Sequence, residues 1–296
     1  MLFRSEVGIG VDNSKLKGLQ SEFLAIEESA TKATYLAAGS EFNVSSPKQL
    51  QQILFDKLQL PKTKRIKTGF STDAESLEWL YKTTEHEVLG NILKIREFAK
   101  LRATVDGLIE SVREDSRIHT TFQQTVTATG WLSSTNPNLQ NIPIRSEEGR
   151  RIRDSFVALP PFTELMTADY SQIEMRIMAH LSDDQGLLRA FAEGEDLHST
   201  VASQVFGIPI IQVDESMRRQ IKAMSYGLAY GLSSFGLAQQ LDIPPNEASA
   251  LMERYFQRFG GIQKYLKAVV NQARINGYTE TILGRRRRSE EHTSEL

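Results

Sequence analysis

The sequence contains no cysteine among its 296 residues, which excludes disulfide bonds and metal sites built on thiolates. It also lacks an apolar run long enough to cross a membrane, so we expect no membrane partner. Internal repeats and low-complexity tracts are absent, and we expect no signal peptide. These absences are compatible with a reducing cytoplasm and exclude repeat and disulfide-rich architectures.

An excess of basic residues is missing too, because 35 Lys and Arg stand against 37 Asp and Glu, for a net charge of −2. Any binding of nucleic acid must therefore depend on local clusters of positive charge. Hydrophobic residues make up 40% of the chain, which can fill a core. The length is compatible with one large domain or with about two to three smaller ones.

The segment RRQIKAMSYGLAYG at 218–231 places two cations and two aromatic rings at intervals of four residues. On an α-helix, such positions share one face: Arg218, Lys222, Tyr226 and Tyr230. Twelve residues of helix span roughly 18 Å, so this face has room for phosphates at one end and a base at the other. The helix N-terminus would add its own attraction for anions. The alternative is a surface helix with solvated basic residues and half-buried tyrosines.

The segment ELMTADYSQIEMRIMAHLSDD at 164–184 combines an acidic residue with an amphipathic pattern. Apolar residues before Asp169 predict the end of a strand, and Ile173, Ile177 and Leu181 then recur at helical spacing. A carboxylate at the tip of a buried strand is a natural ligand for Mg²⁺. The alternative is that Asp169 simply caps the following helix.

Helices dominate the rest of the predicted secondary structure. Apolar residues at helical spacing predict three helical regions: 14–38, about 86–113, and 185–284. Ser46 and Gln49 predict an N-cap with a capping box, and Thr72 with Glu75 predicts a second one. Segments of period two from about His119 predict strands.

These segments, with TATGWLSSTNPNLQNIPIRSEEGRRIRDSF at 127–156, resemble the motifs of family A DNA polymerases, the bacterial DNA polymerase I type. The similarity extends from about residue 6 to Arg287, with the motifs in the family's order. The resemblance implies an α+β, predominantly helical fold of the right-hand polymerase type. Its parts would be a thumb over 6–118, the first part of the palm over 119–184, and fingers over 185–287.

Both ends of the chain resemble translated sequencing adapters, so residues 1–5 and 288–296 are expected to be scars outside the fold. The sequence has no Val-His-Asp-Glu segment, which carries the family's second metal-binding carboxylate. The resemblance therefore implies a truncated fragment that lacks the C-terminal part of the palm. Two catalytic metal ions lie about 3.5–4 Å apart, and Asp169 as a single carboxylate is not expected to hold both.

For the parent protein, the resemblance implies template-directed DNA polymerisation, in which deoxynucleotides are added to a primer 3′-hydroxyl with release of pyrophosphate. The implied cofactor is Mg²⁺, and the implied partners are primer-template DNA and deoxynucleoside triphosphates. The resemblance also implies a monomer in the cytoplasm, associated with the nucleoid, and we expect this chain alone to be inactive. The alternative is a noncatalytic module that binds primer-template or dNTP. A metal-dependent nuclease using Asp169 and Glu174 would leave the 218–231 face unexplained.

The resemblance assigns roles to residues near the two motifs. Asp169 and the backbone carbonyl of Tyr170 would ligate the metal, and Asp169 and Lys222 would act in catalysis. Glu174 would exclude a ribose 2′-hydroxyl, because a side chain packed against C2′ leaves that hydroxyl no room; an ordinary surface carboxylate is the alternative. The residues implied to contact the incoming nucleotide are Tyr170, Gln172, Glu174, His198, Arg218, Lys222, Tyr226, Tyr230 and Arg145.

A second set is implied to contact primer-template DNA: Lys62, Lys64, Arg65, Lys67, Arg96, Lys100, Trp131, Asn138, Gln140 and Asn141. Basic residues on phosphates give affinity that depends on salt and not on sequence. Trp131 departs from the family, which carries an arginine there. An indole offers one donor and no charge, so the arginine's bidentate contact is lost. Trp131 either stacks on a sugar or base or reflects an error in the source sequence. The alternatives for these segments are solvated charges and a polar, proline-containing loop.

Overall fold

The computed structural model describes residues 2–127, 130–144, 146–194 and 196–288, with side chains from Ser5 onward. It forms two compact units, Met1–Met166 and Thr167–Leu296. The predicted α+β, mostly helical fold class is confirmed, whereas the division into thumb, palm and fingers stays a prediction. None of the helices in these described ranges is long and apolar enough to cross a membrane.

Helices carry most of the core of the first unit. They are α1 (Asn13–Ala38), α2 (Pro47–Gln51), which a π-helix (Gln52–Lys57) continues, α3 (Ala74–Thr84), α4 (Glu87–Ser111) and α5 (Glu147–Arg153). Helices α1 and α4 pack along each other, with the ring centroids of Phe23 and Phe98 5.5 Å apart. Burying a side chain of this size contributes about 1.5–3 kcal/mol. The helices predicted over 14–38 and 86–113 are thus confirmed, and Gly39 ends α1 with a φ of 64°.

Local capping sets the starts of α2 and α3, with two differences from prediction. The Ser46 hydroxyl accepts from the Gln49 N–H at 3.5 Å, as expected. The Gln49 side chain instead accepts from the Asn43 N–H at 2.7 Å, so the predicted reciprocal capping box is wrong. Helix α3 begins after Asp73 rather than Thr72, because the Asp73 carboxylate accepts a hydrogen bond from the backbone N–H three residues on, and Asp is the stronger cap.

Short antiparallel strands connect these helices. They are β1 (Leu2–Arg4), β2 (Ile9–Val11), β3 (Arg65–Ile66), β4 (Gly69–Phe70), β5 (Arg117–Ile118), β6 (Thr121–Gln123), β7 (Ser133–Thr135) and β8 (Phe156–Val157). Their order is β1-β6-β7 in one sheet and β5-β2-β8 in another, while β3 pairs with β4. The strands predicted from about His119 are present as β6 and β7. Leu2 lies opposite Gln123 in the register, so residues of the expected N-terminal scar pair as a strand.

The second unit is built of α6 (Ile173–Ser182), α7 (Gln185–Ala192), α8 (Leu197–Phe206), α9 (Glu215–Ala229), α10 (Ser234–Leu241), α11 (Pro245–Arg258) and α12 (Gly260–Asn276). Its core includes Leu187, Ile221 and Leu251, all buried. Tyr255 of α11 is also buried, which raises its pKa to about 12. These helices position the residues of both sequence motifs.

One sequence prediction for this unit is wrong, and the helical region predicted over 185–284 is confirmed except at its C-terminal end. Residues 161–170 have no regular secondary structure, so Asp169 does not end a strand; no strand in the described ranges pairs with this segment. The helices stop before residue 284, because Gly277 ends α12 with a φ of 73°. Strands β9 (Tyr278–Glu280) and β10 (Arg286–Arg288) follow as a hairpin.

Candidate functional site

Helix α9 presents the predicted cations and tyrosines away from the core. The Asp214 carboxylate caps its start by accepting from the Met217 N–H at 2.8 Å. Ile221, Met224 and Leu228 are buried, and their three- and four-residue spacing places them on one side of the helix. The other side carries, in order, Arg218 (half-buried), Lys222 (exposed), Tyr226 (half-buried) and Tyr230 (exposed), which ends the helix. The prediction of one helical face is confirmed.

A carboxylate from the neighbouring helix α8 holds Arg218. Its Nε donates to Asp196 Oδ2 at 2.9 Å, and its Nη2 lies 3.4 Å from Oδ1. Asp196 also caps α8, accepting from the His198 N–H at 3.2 Å and the Ser199 hydroxyl at 3.0 Å. Burial favours protonated Asp196, but hydrogen bonds from Arg218 and Ser199 outweigh it and lower the pKa of Asp196. Sequence reasoning missed Asp196, although an Asp just before a helix is a common cap.

His198 is buried, with 3% of its surface exposed. Its Nδ1 atom has no hydrogen-bond partner among the described residues, which is uncommon for a buried polar atom. Burial lowers the pKa of His198, and the positive charge of Arg218 lowers it further. The ring centroid lies 5.9 Å from that of Tyr226. A neutral imidazole with one unpaired nitrogen therefore lies beside the middle of the α9 face.

Tyr230 connects α9 to the segment around Asp169. Its phenolic hydroxyl donates a hydrogen bond to Glu174 Oε1, and Glu174 lies in the first turn of α6. This bond, with burial, raises the pKa of Tyr230 to about 12. Burial also raises the pKa of Tyr226, and the negative charges of Glu174 and Asp169 add to that effect. The structure thus brings the two motifs together in the second unit.

The predicted metal ligands lie in an exposed segment. Asp169 and Tyr170 belong to the irregular stretch before α6, and Tyr170 is 79% exposed. Gln172 begins α6 with a φ of 54°, and its Oε1 is buried without a partner among the described residues. Within the same ranges, no group of three or more His, Cys, Asp or Glu could hold a metal ion. Two divalent ions need more ligands than Asp169 supplies, so the described residues alone do not fit a two-metal centre.

The predicted basic loop of the first unit forms the β3–β4 hairpin and the residues just before it. Lys62 lies over an aromatic ring of β4, 5.0 Å from the centroid, within the range of a cation–π contact. Lys64 Nζ lies 3.1 Å from Asp73 Oδ2. Arg65 and Lys67 are exposed, and neither forms an ion pair in the described part of the chain. The latter two are therefore the freer candidates for a phosphate contact.

Arg96 and Lys100 lie one turn apart on α4 but have different surroundings. Arg96 Nη1 donates to the Thr72 carbonyl at 2.5 Å, and burial lowers the pKa of Arg96. Lys100 is exposed and lines a groove of about 510 Å³ together with Gln140 and Asn141. Three predicted DNA contacts therefore share one groove of the first unit, whereas Arg96 is engaged with the backbone before α3.

The predicted contacts from 131 to 145 belong mostly to irregular chain. Trp131 is 62% exposed. The Gln140 amide donates to the Leu132 carbonyl at 3.1 Å, and Asn138 Oδ1 accepts from the Gln140 N–H at 3.0 Å. These bonds fold the segment back on itself. Arg145 lies outside the described residues.

A family model described as DNA polymerase family A matches residues 13–295 of the chain. The chain belongs to DNA polymerase family A. Membership in this family implies dependence on divalent metal ions. The match includes both motifs in the second unit and the groove residues of the first.

Family A relatives are similar over nearly the whole chain. DNA polymerase I of Mycobacterium tuberculosis is 59% identical over 280 residues, which are 95% of this chain and 31% of the relative. DNA polymerase I of Bacillus subtilis is 44% identical over 289 residues, 97% of this chain and 33% of the relative. The chain thus spans about a third of the length of the curated relatives that it matches.

A solved family A structure shows the same fold. It is described as the POL domain of Pol1 from M. smegmatis in complex with DNA primer-template and dNTP. The two structures align with a TM-score of 0.90 and 59% sequence identity, and the alignment covers 98% of this chain and 51% of that chain. Similarity at this level extends through both units of the chain.

Proposed function

We propose that this chain supplies part of a template-directed DNA polymerase, which adds deoxynucleotides to a primer 3′-hydroxyl and releases pyrophosphate. The observation that carries the proposal is the outward face of α9, with its cations first and its tyrosines last. The charges of Arg218 and Lys222 and the partial positive charge of the helix N-terminus favour an anion there. The M. smegmatis relative contains primer-template and dNTP, which supports the same ligands for this chain.

The nucleotide would lie along α9 with its triphosphate at Arg218 and Lys222. Because Lys222 is exposed and has no ion pair within the described ranges, its ammonium is free to meet a phosphate. His198 would lie near the phosphates as a neutral group, since burial and the charge of Arg218 lower its pKa. Tyr226 and Tyr230 would then lie beside the sugar and the base. In this pose, Lys222 would also offset charge that develops on the phosphates.

Glu174 is the proposed determinant of sugar selection. Its carboxylate is held by the Tyr230 hydroxyl, so its position relative to the α9 face is fixed by a hydrogen bond. A carboxylate beside C2′ leaves a ribose hydroxyl without room. Tyr170, Gln172 and Arg145 remain predicted nucleotide contacts.

Primer-template DNA is the second proposed ligand. Lys100, Gln140 and Asn141 line one groove, which combines a charge for phosphate with two amides that hydrogen-bond to sugar or base edges. The exposed residues Arg65 and Lys67 would add contacts that carry no sequence information. The remaining DNA contacts of this proposal are Lys62, Lys64, Arg96, Trp131 and Asn138.

We infer Mg²⁺ as the divalent ion, with Asp169 and the Tyr170 carbonyl as predicted ligands. The described residues alone do not fit a two-metal centre. The chemistry assigned to this chain is therefore limited to binding and orienting the nucleotide and the DNA. A monomer located in the cytoplasm at the nucleoid is proposed on the family resemblance.

A noncatalytic module that binds primer-template or dNTP is the second candidate for the isolated chain. The lack of a group of metal ligands among the described residues favours it, because phosphoryl transfer depends on positioned metal ions. Both candidates use the same binding residues and differ only in chemistry.

Primer extension by the 296-residue chain with Mg²⁺ and all four deoxynucleotides separates the two candidates. A fluorescence-anisotropy titration of the same labelled primer-template is run beside it. Extension supports polymerase activity in this chain, and binding without extension supports the noncatalytic module. If the chain neither binds nor extends the primer-template, both the polymerase and the noncatalytic module are contradicted. Degradation of the DNA without added nucleotides would point instead to a metal-dependent nuclease.

A further inference from the structure

The guanidinium of Arg218, the first cation on the α9 face, is already bound to a carboxylate. Two of its nitrogens contact both oxygens of Asp196, at 2.9 and 3.4 Å. Carboxylates and phosphates both offer paired oxygens that match the fork of an arginine. Asp196 occupies the edge of the guanidinium formed by Nε and Nη2, so a phosphate that approaches this edge competes with the Asp196 carboxylate for the same donors.

Asp196 is the fixed member of this pair. Its Oδ1 accepts from the His198 N–H and its Oδ2 from the Ser199 hydroxyl, so its position is set by the start of α8. For the Arg218 side chain, no hydrogen-bond partner other than Asp196 is found in the described part of the chain. Exchange of partners would therefore proceed by rotation of Arg218 while Asp196 stays in place.

The strength of the pair suits such an exchange. The Arg218 and Asp196 side chains are 38% and 42% exposed, and solvent screens ion pairs at that exposure. A triphosphate carries several charges and more oxygens than a single carboxylate. It is therefore the stronger partner for Arg218.

We propose that Asp196 is a positioning residue that holds Arg218 at the start of α9 until the outer phosphates of a nucleoside triphosphate replace its carboxylate. This inference rests on the proposed function, because it requires Arg218 to contact the triphosphate. It adds a competing group inside the chain, whose removal strengthens triphosphate binding. A nucleoside monophosphate, which does not reach Arg218, is not affected.

The test is a calorimetric titration of the full chain with dATP, and with dAMP as the control ligand. D196N removes the charge and keeps the cap, since Asn and Asp are equally good N-cap residues. E215Q is the matched control variant, because Glu215 lies in the first turn of α9 and its charge acts on Arg218 without a hydrogen bond. R218Q, alone and combined with D196N, reports whether the effect passes through Arg218.

We expect D196N to bind dATP about two- to fivefold more tightly than the parent chain, the range for release of an exposed ion pair. Binding of dAMP should stay unchanged, and E215Q should give a smaller gain for dATP. The double variant should bind dATP no more tightly than R218Q does, apart from a gain as small as the one that E215Q shows over the parent. A role of Asp196 limited to capping α8 would not produce this dependence on the ligand and on Arg218.

Three results would overturn the inference, and they differ in what they say of the proposed function. If D196N and the parent bind dATP equally while R218Q binds weakly, the inference fails and the proposed role of Arg218 stands. If the gain persists in the R218Q background, the effect does not pass through Arg218 and the inference also fails. If R218Q binds dATP as the parent does, both fail. If the circular dichroism spectrum of D196N differs from that of the parent, D196S is used in its place, because Ser also caps helices well.

Discussion

Tyr230, at the end of α9, donates a hydrogen bond to Glu174, in the first turn of α6. This bond joins the helix that carries the proposed triphosphate contacts to the helix that follows Asp169. The orientation of Glu174 therefore depends on a residue 56 positions away in the sequence. Under the proposed function, sugar selection by Glu174 and base placement by Tyr230 are coupled through this hydrogen bond.

Glu174→Gln is expected to lower the pKa of Tyr230 from about 12 towards its ordinary value of 10.0, because a neutral amide stabilises the phenolic form less than a carboxylate does. A raised pKa means that this stabilisation is present below pH 10.0 and is lost as the pH rises through about 12. Phenolate absorbance followed across this range measures the shift, and Tyr230→Phe identifies the titration step. The same titration curve in the parent and in Glu174→Gln would contradict the bond.

The lowered pKa of His198 determines how this residue affects stability at acid pH. The unfolded chain binds a proton at His198 more readily than the folded chain does, so its stabilising contribution is complete above the ordinary pKa of 6.5. That contribution is lost as the pH falls through the lower folded value. Burial is the main cause of the lowered pKa of His198; the charges of Arg218 and Lys222 also favour the neutral ring, whereas that of Asp196 opposes them.

His198→Asn is expected to remove this part of the acid dependence. Urea unfolding of the parent and the variant, repeated from neutral to mildly acidic pH, gives the free energy of unfolding for each. The difference in the free energy of unfolding between the parent and the variant should become smaller as the pH falls. A difference that is constant with pH would mean that His198 titrates normally in the folded chain.

Gly149 in α5 supports the loop that carries Gln140 and Asn141. A Cβ at this position would lie 2.5 Å from the Pro143 carbonyl oxygen, so Gly149→Ala is expected to reduce the free energy of unfolding by about 1–3 kcal/mol. Gly107 on α4 is the control, since a Cβ there meets nothing within 4 Å. Gly107→Ala should stabilise the chain by about 0.4–1 kcal/mol. Chemical denaturation measures both changes in the free energy of unfolding. Changes of the same sign in the two variants would refute close packing at α5.

Lys67 and Lys64 provide a matched pair for the proposed DNA contact. Lys67 is exposed without an ion pair in the described ranges, whereas Lys64 is bound to Asp73. Lys67→Ala is expected to weaken primer-template binding equally for all sequences and to reduce the slope of log K against log salt by about 0.9. Lys64→Ala should change the slope less. Anisotropy titrations at several salt concentrations measure both, and equal slopes for the parent and Lys67→Ala would exclude a phosphate contact.

Local features of the fold could be predicted from the sequence because their causes are local. Helical spacing of apolar residues defines α1 and α4, and Gly39 ends α1 in the conformation that favours glycine. The single face of α9 follows from four-residue spacing alone. Even locally, however, the stronger cap Asp73 replaced the predicted Thr72.

The tertiary part of the site was beyond such reasoning. The Arg218–Asp196 pair joins residues 22 positions apart, and it exists because α8 packs beside α9. Whether Asp169 ends a strand depends on a pairing partner, which its own sequence does not specify. The burial of His198 likewise depends on the helices around it. Family resemblance, and not periodicity, directed attention to His198 and Glu174.

The central claim is that the outward face of α9 binds the triphosphate of a deoxynucleotide. Lys222→Ala tests it most directly, with Lys267→Ala as the control, because Lys267 is an exposed lysine on α12 of the same unit. In equilibrium titrations with dATP, we expect Lys222→Ala to bind about ten- to a hundredfold more weakly, the loss of a charged hydrogen bond, and Lys267→Ala to bind like the parent. Equal affinity of the parent and Lys222→Ala would contradict the account.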